Sequence, residues 1–403
     1  MTLLRVFIPF ALGYFLSYLL RVVNAVIAPD LIRELGLSAD DLGLLTSANF
    51  LAFAAFQLPL GILLDRYGPR RTESVLLLFA ALGAFVFAAA GSVSTLIFGR
   101  LLIGLGTSAC LMAAFKAYAM WVPKERITLI NGFQMAAGGL GAITGTIPVE
   151  MALSYTDWRG IFIVLGCLAL VFAAVLFFLV PRRKSMETVP GTIGGQLAGI
   201  AEIFKSPLFW RIAPLCVASQ CAFLGIQSLW TGPWIADVAG FARDDVAIAL
   251  LLIAISMVGG FLCMGAVAER LGRVGVRPIN VAIVGMSAFA LVQLCLVLQW
   301  TEMTVPLWML FGFFGTTGIL PYAVLPQGFQ PEMTGRVITG MNVLVFGAAF
   351  SAQWGIGAII DLWPVTSTGG YNPAGYQAAF GVILAVQVAG LIWYGLFRRD
   401  VRI

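Results

Sequence analysis

Twelve apolar runs, each of about 20 residues or more, restrict what this chain can fold into. A helix needs about 20 apolar residues to cross the ~30 Å hydrocarbon core of a bilayer. Backbone polar groups in lipid must be paired within the segment, so the runs predict helices and not strands. We place the predicted transmembrane helices at residues 6–28, 42–64, 74–92, 95–121, 127–152, 160–180, 208–236, 246–268, 278–299, 304–327, 337–362 and 376–397. The predicted fold class is an all-α integral membrane protein.

The composition excludes the other broad classes. Hydrophobic residues make up 60% of the chain and charged residues 11%, whereas soluble domains carry about 25% charged residues and disordered chains are polar. The chain has no histidine, and its six cysteines all lie in apolar runs without the spacing of a metal site. No enzyme motif is present. We therefore expect no enzymatic activity, cofactor, metal or nucleic-acid partner, and we expect a monomer whose partners are the bilayer and a small-molecule substrate.

The positive charges between the runs predict the orientation. With the N-terminus inside, the inner loops and tails carry 18 Lys and Arg residues, and the outer loops carry three. Cytoplasmic loops are enriched in Lys and Arg, so this bias predicts that both termini are cytoplasmic. The remaining three cations lie inside runs: Arg21, Arg100 and Lys116.

The two halves of the chain resemble each other. The longest loop, residues 181–207, is polar and basic, so we predict a cytoplasmic linker between an N-terminal bundle (1–180) and a C-terminal bundle (208–403) of six helices each. GILLDRYG at 61–68 returns as GAVAERLG at 265–272, in both cases after an even-numbered run. Three further pairs keep the same order: Gly106-Thr107 with Gly315-Thr316, PKERITLIN with PEMTGRVITGMN, and DWRGIF with GYQAAF. Four such pairs indicate a parallel duplication with two pseudo-symmetric bundles.

Two motifs resemble those of a known family. Gly61-x-x-x-Asp65-Arg66-x-Gly68-x-Arg70-Arg71 is similar to the loop between spans two and three of the major facilitator superfamily, and Arg100-x-x-x-Gly104-x-Gly106 is similar to its span-four motif. The family's antiporter motif has a Gly-Pro pair where this chain has Gly145-Thr146. The resemblance covers essentially the whole chain. It implies a multi-pass secondary transporter of the cytoplasmic (inner) membrane, in which two bundles rock around a central site.

One face of the first predicted helix is polar at membrane depth. At 100° per residue, four side chains fall within about 80° of one another: Tyr14, Ser17, Arg21 and Asn24. A charge at the bilayer centre costs roughly 2.5–3.5 kcal/mol on insertion scales, so we favour a cavity-facing Arg21. The alternative is that Arg21 snorkels outward, since Asp30 lies nine residues further on.

Other runs carry polar groups with two possible roles. Arg100 could contact substrate or bond to a neighbouring carbonyl, and for Lys116, near the cytoplasmic interface, we favour snorkelling. The amides could line a cavity or form interhelical hydrogen bonds worth about 0.6 kcal/mol each. Because they occur in several helices, we favour a shared cavity, and Pro321 would kink the helix beside Tyr322. The predicted substrate-binding residues are Tyr14, Arg21, Asn24, Gln57, Arg100, Gln134, Gln227, Trp230, Tyr322, Asn342 and Gln353.

The resemblance also implies a cytoplasmic gate. In the family-like arrangement, Asp65 faces the N-terminal end of the eleventh helix, near residues 336–338. A helix N-terminus carries about +0.5 charge, so the carboxylate would help to hold this side shut. The predicted gating residues are Asp65, Arg66 and Arg70, with Glu269 and Arg270 in the repeat. The alternative is a solvated loop whose charge only sets the orientation.

No carboxylate lies in the middle of any predicted helix, which bears on energy coupling. Glu150, Asp237 and Asp361 lie near outer ends, where solvated acids are ordinary. Without a central acid or histidine, we expect transport that does not depend steeply on one titrating carboxylate. Glu150 is the remaining candidate for a proton carrier.

Three functions stay open. Because cations lie within the spans and central acids do not, we predict a secondary active transporter of a small organic anion, a carboxylate-type metabolite, with import or exchange favoured. The first alternative is an efflux pump for amphipathic compounds, or a carrier of an uncharged metabolite or vitamin, in which Arg21 and Arg100 are structural. The distant alternative is a membrane sensor that does not transport.

Overall fold

The computed structural model describes residues 2–181, 193–330, 333–367 and 369–397, and within these ranges the regular structure is helical, without strands. Eleven helical segments of the described chain are long and apolar enough to cross a membrane. The predicted all-α membrane class is confirmed. By contacts the chain divides into two units, Met1–Gly36 with Ala48–Gly195, and Leu37–Ser47 with Gln196–Ile403.

Helix α2, Ala39–Ala88, accounts for two of the predicted spans. A straight helix of its 50 residues would be about 75 Å long, more than twice the hydrocarbon thickness of a bilayer. Gly68 interrupts it with φ 76° and ψ 163°, a conformation that glycine adopts without steric cost. The eleven segments therefore hold twelve spans, as the sequence predicts.

The first unit is built around α1. Its helices are α1 (Thr2–Leu35), α2 from Ala48 onward, α3 (Val93–Thr107), α4 (Cys110–Trp121), α5 (Lys124–Thr144), α6 (Ile147–Leu153) and α7 (Trp158–Leu179). Helices α3 and α4 together form the fourth predicted span, and α5 and α6 form the fifth. Helix α1 packs against α4, α5 and α7, which places its polar face inside this unit.

The larger part of the second unit begins at Gln196, inside the predicted linker, and its smaller part is the segment Leu37–Ser47. Residues 182–192 of that linker lie outside the described residues, but its last part forms helix α8, a helix that our linker assignment did not anticipate. The helices of this unit are α8 (Ile193–Lys205), α9 (Pro207–Gly225), a π-helix (Ile226–Trp230), α10 (Thr231–Asp237), α11 (Arg243–Arg273), α12 (Pro278–Val297), α13 (Thr304–Gly315), α14 (Leu320–Val324), α15 (Thr334–Ile360) and α16 (Pro373–Phe397).

Two acids of the second unit that the sequence suggested were solvated have defined partners. Asp361 accepts hydrogen bonds from the backbone N–H groups of Ala39 (3.0 Å) and Asp40 (2.9 Å), so its carboxylate caps the start of α2. Asp237 accepts from the hydroxyl of Tyr376 at 2.7 Å and from the N–H of Tyr371 at 3.2 Å. Sequence periodicity does not show such partners, because they come from distant parts of the chain.

Candidate functional site

The guanidinium of Arg21 lies among aromatic rings of the first unit. Its central carbon is 4.8 Å from the ring centroid of Tyr18, and it is 5.9 Å from the centroids of both Phe50 and Phe53. Tyr18 packs in turn edge-on against Tyr14, with 5.1 Å between the ring centroids. A guanidinium within about 6 Å of an aromatic face is attracted by the ring quadrupole, so these rings hold the cation in place.

Arg21 has no compensating acid in the part of the chain that the structure describes. No carboxylate oxygen there lies within 4.0 Å of its nitrogens. The Nε of Arg21 and the Oδ1 of Asn24 are both buried without a hydrogen-bond partner among the described residues. A buried polar group without a partner costs about 1–3 kcal/mol. Since Arg21 itself remains half-exposed, the site has donors and charge available for an incoming anion.

Two packing features position the Arg21 cluster, which consists of Arg21 with the rings of Tyr14, Tyr18, Phe50 and Phe53. Phe50, Phe53 and Gln57 follow the i, i+3, i+7 spacing that puts side chains on one face of α2, and Gln57 is buried with its amide 3.4 Å from the carbonyl of Phe53. Gly138 of α5 makes room for the tyrosines, because a Cβ there would lie 2.9 Å from Cδ2 of Tyr18 and would also press on the ring of Tyr14.

Arg100 lies behind the cluster and is completely buried. Its guanidinium donates to the carbonyl oxygen of Leu20 at 2.9 Å and packs over the rings of Phe87 (4.7 Å) and Phe162 (5.1 Å). The accepting carbonyl belongs to the residue before Arg21. Of the two roles left open for Arg100, a bond to a neighbouring carbonyl is the one observed, and it fixes the backbone beneath Arg21.

Gln134 also holds α1 to its neighbours. Its Oε1 accepts from the hydroxyl of Tyr118 at 2.7 Å, and its Nε2 donates to the carbonyl oxygen of Phe10 at 3.1 Å. The oxygen and the nitrogen of the Gln134 amide therefore both have hydrogen-bond partners, and the side chain is completely buried. This interhelical bonding is the alternative that the sequence left open for every amide.

The second unit carries a π-helix, Ile226–Trp230, in the seventh span. Such helices are rare and frequently occur at functional sites. Ser228 accepts a hydrogen bond from Nε2 of Gln353 at 2.8 Å, and Nε1 of Trp230 donates to the backbone oxygen of Gln353 at 2.9 Å. Trp230 and Gln353 thus join the π-helix to α15 inside the core. Gln227 is buried in the same π-helix.

The remaining predicted binding residues of this unit are Asn342 and Tyr322. Asn342 is buried within α15. Tyr322 is half-buried in α14, a short helix between the 3-10 turns Thr316–Ile319 and Leu325–Gly328. The tenth span is broken beside Pro321, as expected for a proline that removes a backbone donor.

At the other end of the first unit, Asp65 has Lys116 as its partner, a residue that the sequence did not include in the predicted gate. The Nζ of Lys116 forms an ion pair with Oδ1 of Asp65, and both side chains are partly exposed. The ammonium group of Lys116 therefore has a partly exposed carboxylate as its partner, which is compatible with snorkelling, and snorkelling stays a prediction. Arg66 packs over the ring of Tyr67 at 5.4 Å.

The other predicted gating residues also have partners close by. Nε of Arg70 donates to the carbonyl oxygen of Phe177 at 2.7 Å. Glu269 pairs with Arg273, one turn further along α11, at 2.6 Å, and both side chains are exposed. Arg270 is exposed. The gating roles of these residues stay predictions.

We expect Asp65→Asn and Lys116→Gln to slow transport by a similar factor, because each removes the same ion pair from the signature loop. Substrate affinity should not change, since the pair lies outside the Arg21 cluster. The exchanged double variant Asp65→Lys with Lys116→Asp should recover much of the lost rate. Initial uptake rates in proteoliposomes measure this. If Asp65→Asn alone slows transport, the carboxylate acts through a different partner.

Glu73 was not among the residues predicted from the sequence, because it lies one residue before the third predicted helix. The structure places it inside the first unit with 0% exposure, and neither carboxyl oxygen has a hydrogen-bond partner among the described residues. We expected no carboxylate in the middle of a predicted helix, and that expectation did not cover this buried acid near the start of the third span. The adjacent Arg70 and Arg71 made residue 73 resemble an interfacial position.

Comparison with known proteins identifies the class. The sequence profile described as Major Facilitator Superfamily matches residues 10–353, so the chain belongs to this superfamily. A solved structure of a bacterial homolog to the human lysosomal transporter Spinster, in an inward-facing and unoccupied conformation, superposes with a TM-score of 0.75 at 16% identity, covering 98% of this chain and 96% of that one. The resemblance derived from the two motifs is confirmed.

Several curated relatives are transporters. The "Probable sulfoacetate transporter SauU" of Cupriavidus necator is 26% identical over 64% of this chain and 63% of its own length. Hexuronate transporters of Escherichia coli and Bacillus subtilis are 26% and 25% identical, over 59% and 92% of this chain and 58% and 91% of their own lengths. The matches to the first two of these relatives thus span less than two thirds of their lengths.

Proposed function

We propose that the protein is a secondary active transporter that moves a small organic anion, a carboxylate-type metabolite, by alternating access, with import or exchange as the direction. The observation that carries the proposal is the uncompensated guanidinium of Arg21 in an aromatic setting. A guanidinium presents a planar fork of donors that matches a carboxylate in two-point fashion. Ionisable residues inside a membrane protein are by default candidates for substrate contact.

The names of the relatives support this substrate class. Sulfoacetate and hexuronates are small anions that carry a carboxylate. They differ in their uncharged parts, so what they share is the anionic group. A site built on Arg21 with the Tyr18, Phe50 and Phe53 rings supplies charge for that group and aromatic surface for the carbon skeleton.

A matched pair of ligands tests the proposal. Glucuronate and glucose share a ring and differ at one carbon, where a carboxylate replaces a hydroxymethyl group. We expect glucuronate, galactonate or sulfoacetate to raise the melting temperature of the purified protein, because a ligand that binds the folded state stabilises it, and we expect glucose to have no effect. The stabilising anion should then be taken up by proteoliposomes. Stabilisation by uncharged or amphipathic compounds would instead support the first alternative, and a protein that binds anions without moving them would be a sensor.

For the orientation, we propose that both termini and the 181–207 segment face the cytoplasm. The support for this orientation is the bias of 18 inner to three outer Lys and Arg residues. Six of these cations lie outside the described residues: Arg182, Arg183, Lys184, Arg398, Arg399 and Arg402. We also propose that the protein acts as a monomer in the inner membrane.

We expect a protease site inserted within 181–207 to be cut in inside-out membrane vesicles and to resist cutting in right-side-out spheroplasts. The physical reason is that basic segments stay on the cytoplasmic side during insertion. An insertion in the outer 154–157 turn is the matched control and should show the opposite pattern. Cleavage of the 181–207 site from outside would reverse the proposed topology.

A further inference from the structure

Glu73 is a carboxyl group that the anion site does not use. It lies in α2, four residues beyond Pro69 and about 6 Å along the helix axis at 1.5 Å per residue. Its exposure is 0%, and both carboxyl oxygens are buried without a hydrogen-bond partner among the residues described. No cation forms an ion pair with it there.

The surroundings of Glu73 are built to admit the carboxyl group. Gly13 of α1 leaves the space that Oε1 occupies, because a Cβ at Gly13 would overlap this atom and would lie 3.9 Å from Sγ of Cys110. Two titratable groups of α4, Cys110 and Tyr118, interact electrostatically with Glu73. On α1, Tyr14 and Arg21 interact with Cys110, and Arg21 forms no ion pair with Glu73 among the described residues. The thiol of Cys110 is only a weak donor.

A carboxylate in this place would be expensive when ionised. An ionised group transferred to an apolar interior without a partner becomes neutral by taking up a proton. A neutral acid kept for structural reasons would be expected to donate that proton to an acceptor, since a buried polar group without a bond is itself destabilising. Glu73 has no such acceptor in the described residues, so its position has a cost that hydrogen bonding does not offset.

We infer that Glu73 is the proton-binding site that couples anion transport to the proton gradient, an inference that rests on the proposed function. In the state described here, the carboxyl group holds one proton. In the other part of the cycle, water reaches Glu73, the O–H bond breaks, and the proton leaves to that solvent as the carboxylate forms. A new proton then binds the carboxylate before the group is buried again. For a substrate of charge −1, one proton per turnover makes the step electroneutral.

The transport test separates coupling from translocation. We expect Glu73→Gln to abolish accumulation driven by a pH gradient in proteoliposomes, while counterflow exchange of the same anion continues at a rate within about two-fold of the unmodified protein. Glu73→Asp keeps a titrating group and should restore part of the accumulation. Glu302→Gln, an exposed acid in the 3-10 turn Thr301–Met303, is the matched control and should behave as the unmodified protein.

Several outcomes would overturn the inference. Normal pH-driven accumulation in Glu73→Gln would do so, as would loss of counterflow in a variant that still melts at the normal temperature. Accumulation driven by a sodium gradient and unaffected by a pH gradient would show that the carboxyl group serves another ion or none. Loss of accumulation in Glu150→Gln but not in Glu73→Gln would assign the coupling to Glu150.

A second measurement needs no substrate. Infrared difference spectra of the reconstituted protein should contain a protonated carboxyl C=O band that is lost in Glu73→Gln and retained in Glu302→Gln. Absence of this band would show that Glu73 does not hold a proton. Because the band does not depend on transport, its presence together with failure of every organic anion to bind would contradict the proposed substrate class and leave the proton site standing.

Discussion

Replacing Arg21 with glutamine should lower the affinity for the transported anion by roughly ten- to a hundred-fold, with the protein still folded. Hydrogen bonds to a charged group contribute about 1.5–3 kcal/mol, and each 1.4 kcal/mol is tenfold in the dissociation constant. Glutamine removes the charge and most of the donors. The Nε of Arg21 has no partner among the described residues, so the substitution does not leave another residue's hydrogen bond unmade.

The lysine variant tests the geometry of the same site. Arg21→Lys keeps the charge but loses the planar fork of donors, so we expect an affinity between those of the unmodified protein and Arg21→Gln. The guanidinium also packs on Tyr18 at 4.8 Å, a contact that an ammonium group makes less well. A snorkelling arginine would tolerate lysine fully, because both side chains reach the interface.

Binding isotherms from thermal shift or calorimetry with the stabilising anion measure both variants. Arg33→Gln is the matched control, since Arg33 lies on the same helix, is exposed and faces no ligand in this proposal. Near-normal affinity in both Arg21 variants would remove Arg21 from the site. The case for an anionic substrate would then rest on the names of the relatives alone.

Helical periodicity was enough to find the Arg21 face, because the residues that share it lie on one helix. Tyr14, Ser17, Arg21 and Asn24 follow the 3.6-residue repeat, and three of them are buried on the inner side of α1. Apolar run length was likewise enough for the twelve spans, since the bilayer sets the length of each helix. Both signals are local in the sequence.

Contacts between helices could not be derived in this way. The pair of Lys116 and Asp65 joins residues 51 positions apart, and one sequence does not show which faces of two helices meet. The Glu73 position shows the same limit, because its burial depends on Gly13 and on the face of α4 that carries Cys110. The π-helix at Ile226–Trp230 has no compositional signal that would distinguish it from α9.

Close helix packing explains the two glycines of the span-four motif, which the resemblance alone did not explain. A Cβ at Gly104 would lie 2.9 Å from Cα of Asn49, and one at Gly106 would lie 2.7 Å from Cα of Ala80. The two glycines therefore let α3 touch two parts of α2 at backbone distance, and Arg100 of the same motif bonds to α1. Small residues at helix interfaces serve such close approach in membranes.

Gly106→Ala should therefore destabilise the protein by about 3 kcal/mol or more, at the upper end of what added methylenes cost in a packed interior. The added methyl group meets the backbone of Ala80, not the flexible end of a side chain, so relief requires α2 and α3 to move apart. We expect a melting temperature in detergent lower by several degrees and a reduced yield of folded protein. Substrate affinity in the fraction that folds should be close to normal, because Gly106 does not touch the Arg21 cluster.

Gly259→Ala provides the comparison, because it adds the same methyl group to another transmembrane helix, where no atom of the described residues lies within 4 Å of the new Cβ. Its melting temperature should be unchanged or slightly higher, since alanine in a helix interior is favoured over glycine by roughly 0.5–1 kcal/mol. If the two variants melt at the same temperature, close packing between α2 and α3 is not what requires glycine at position 106. A ligand-binding role for the motif would then be the better explanation, and a loss of anion affinity in Gly106→Ala without loss of stability would establish it.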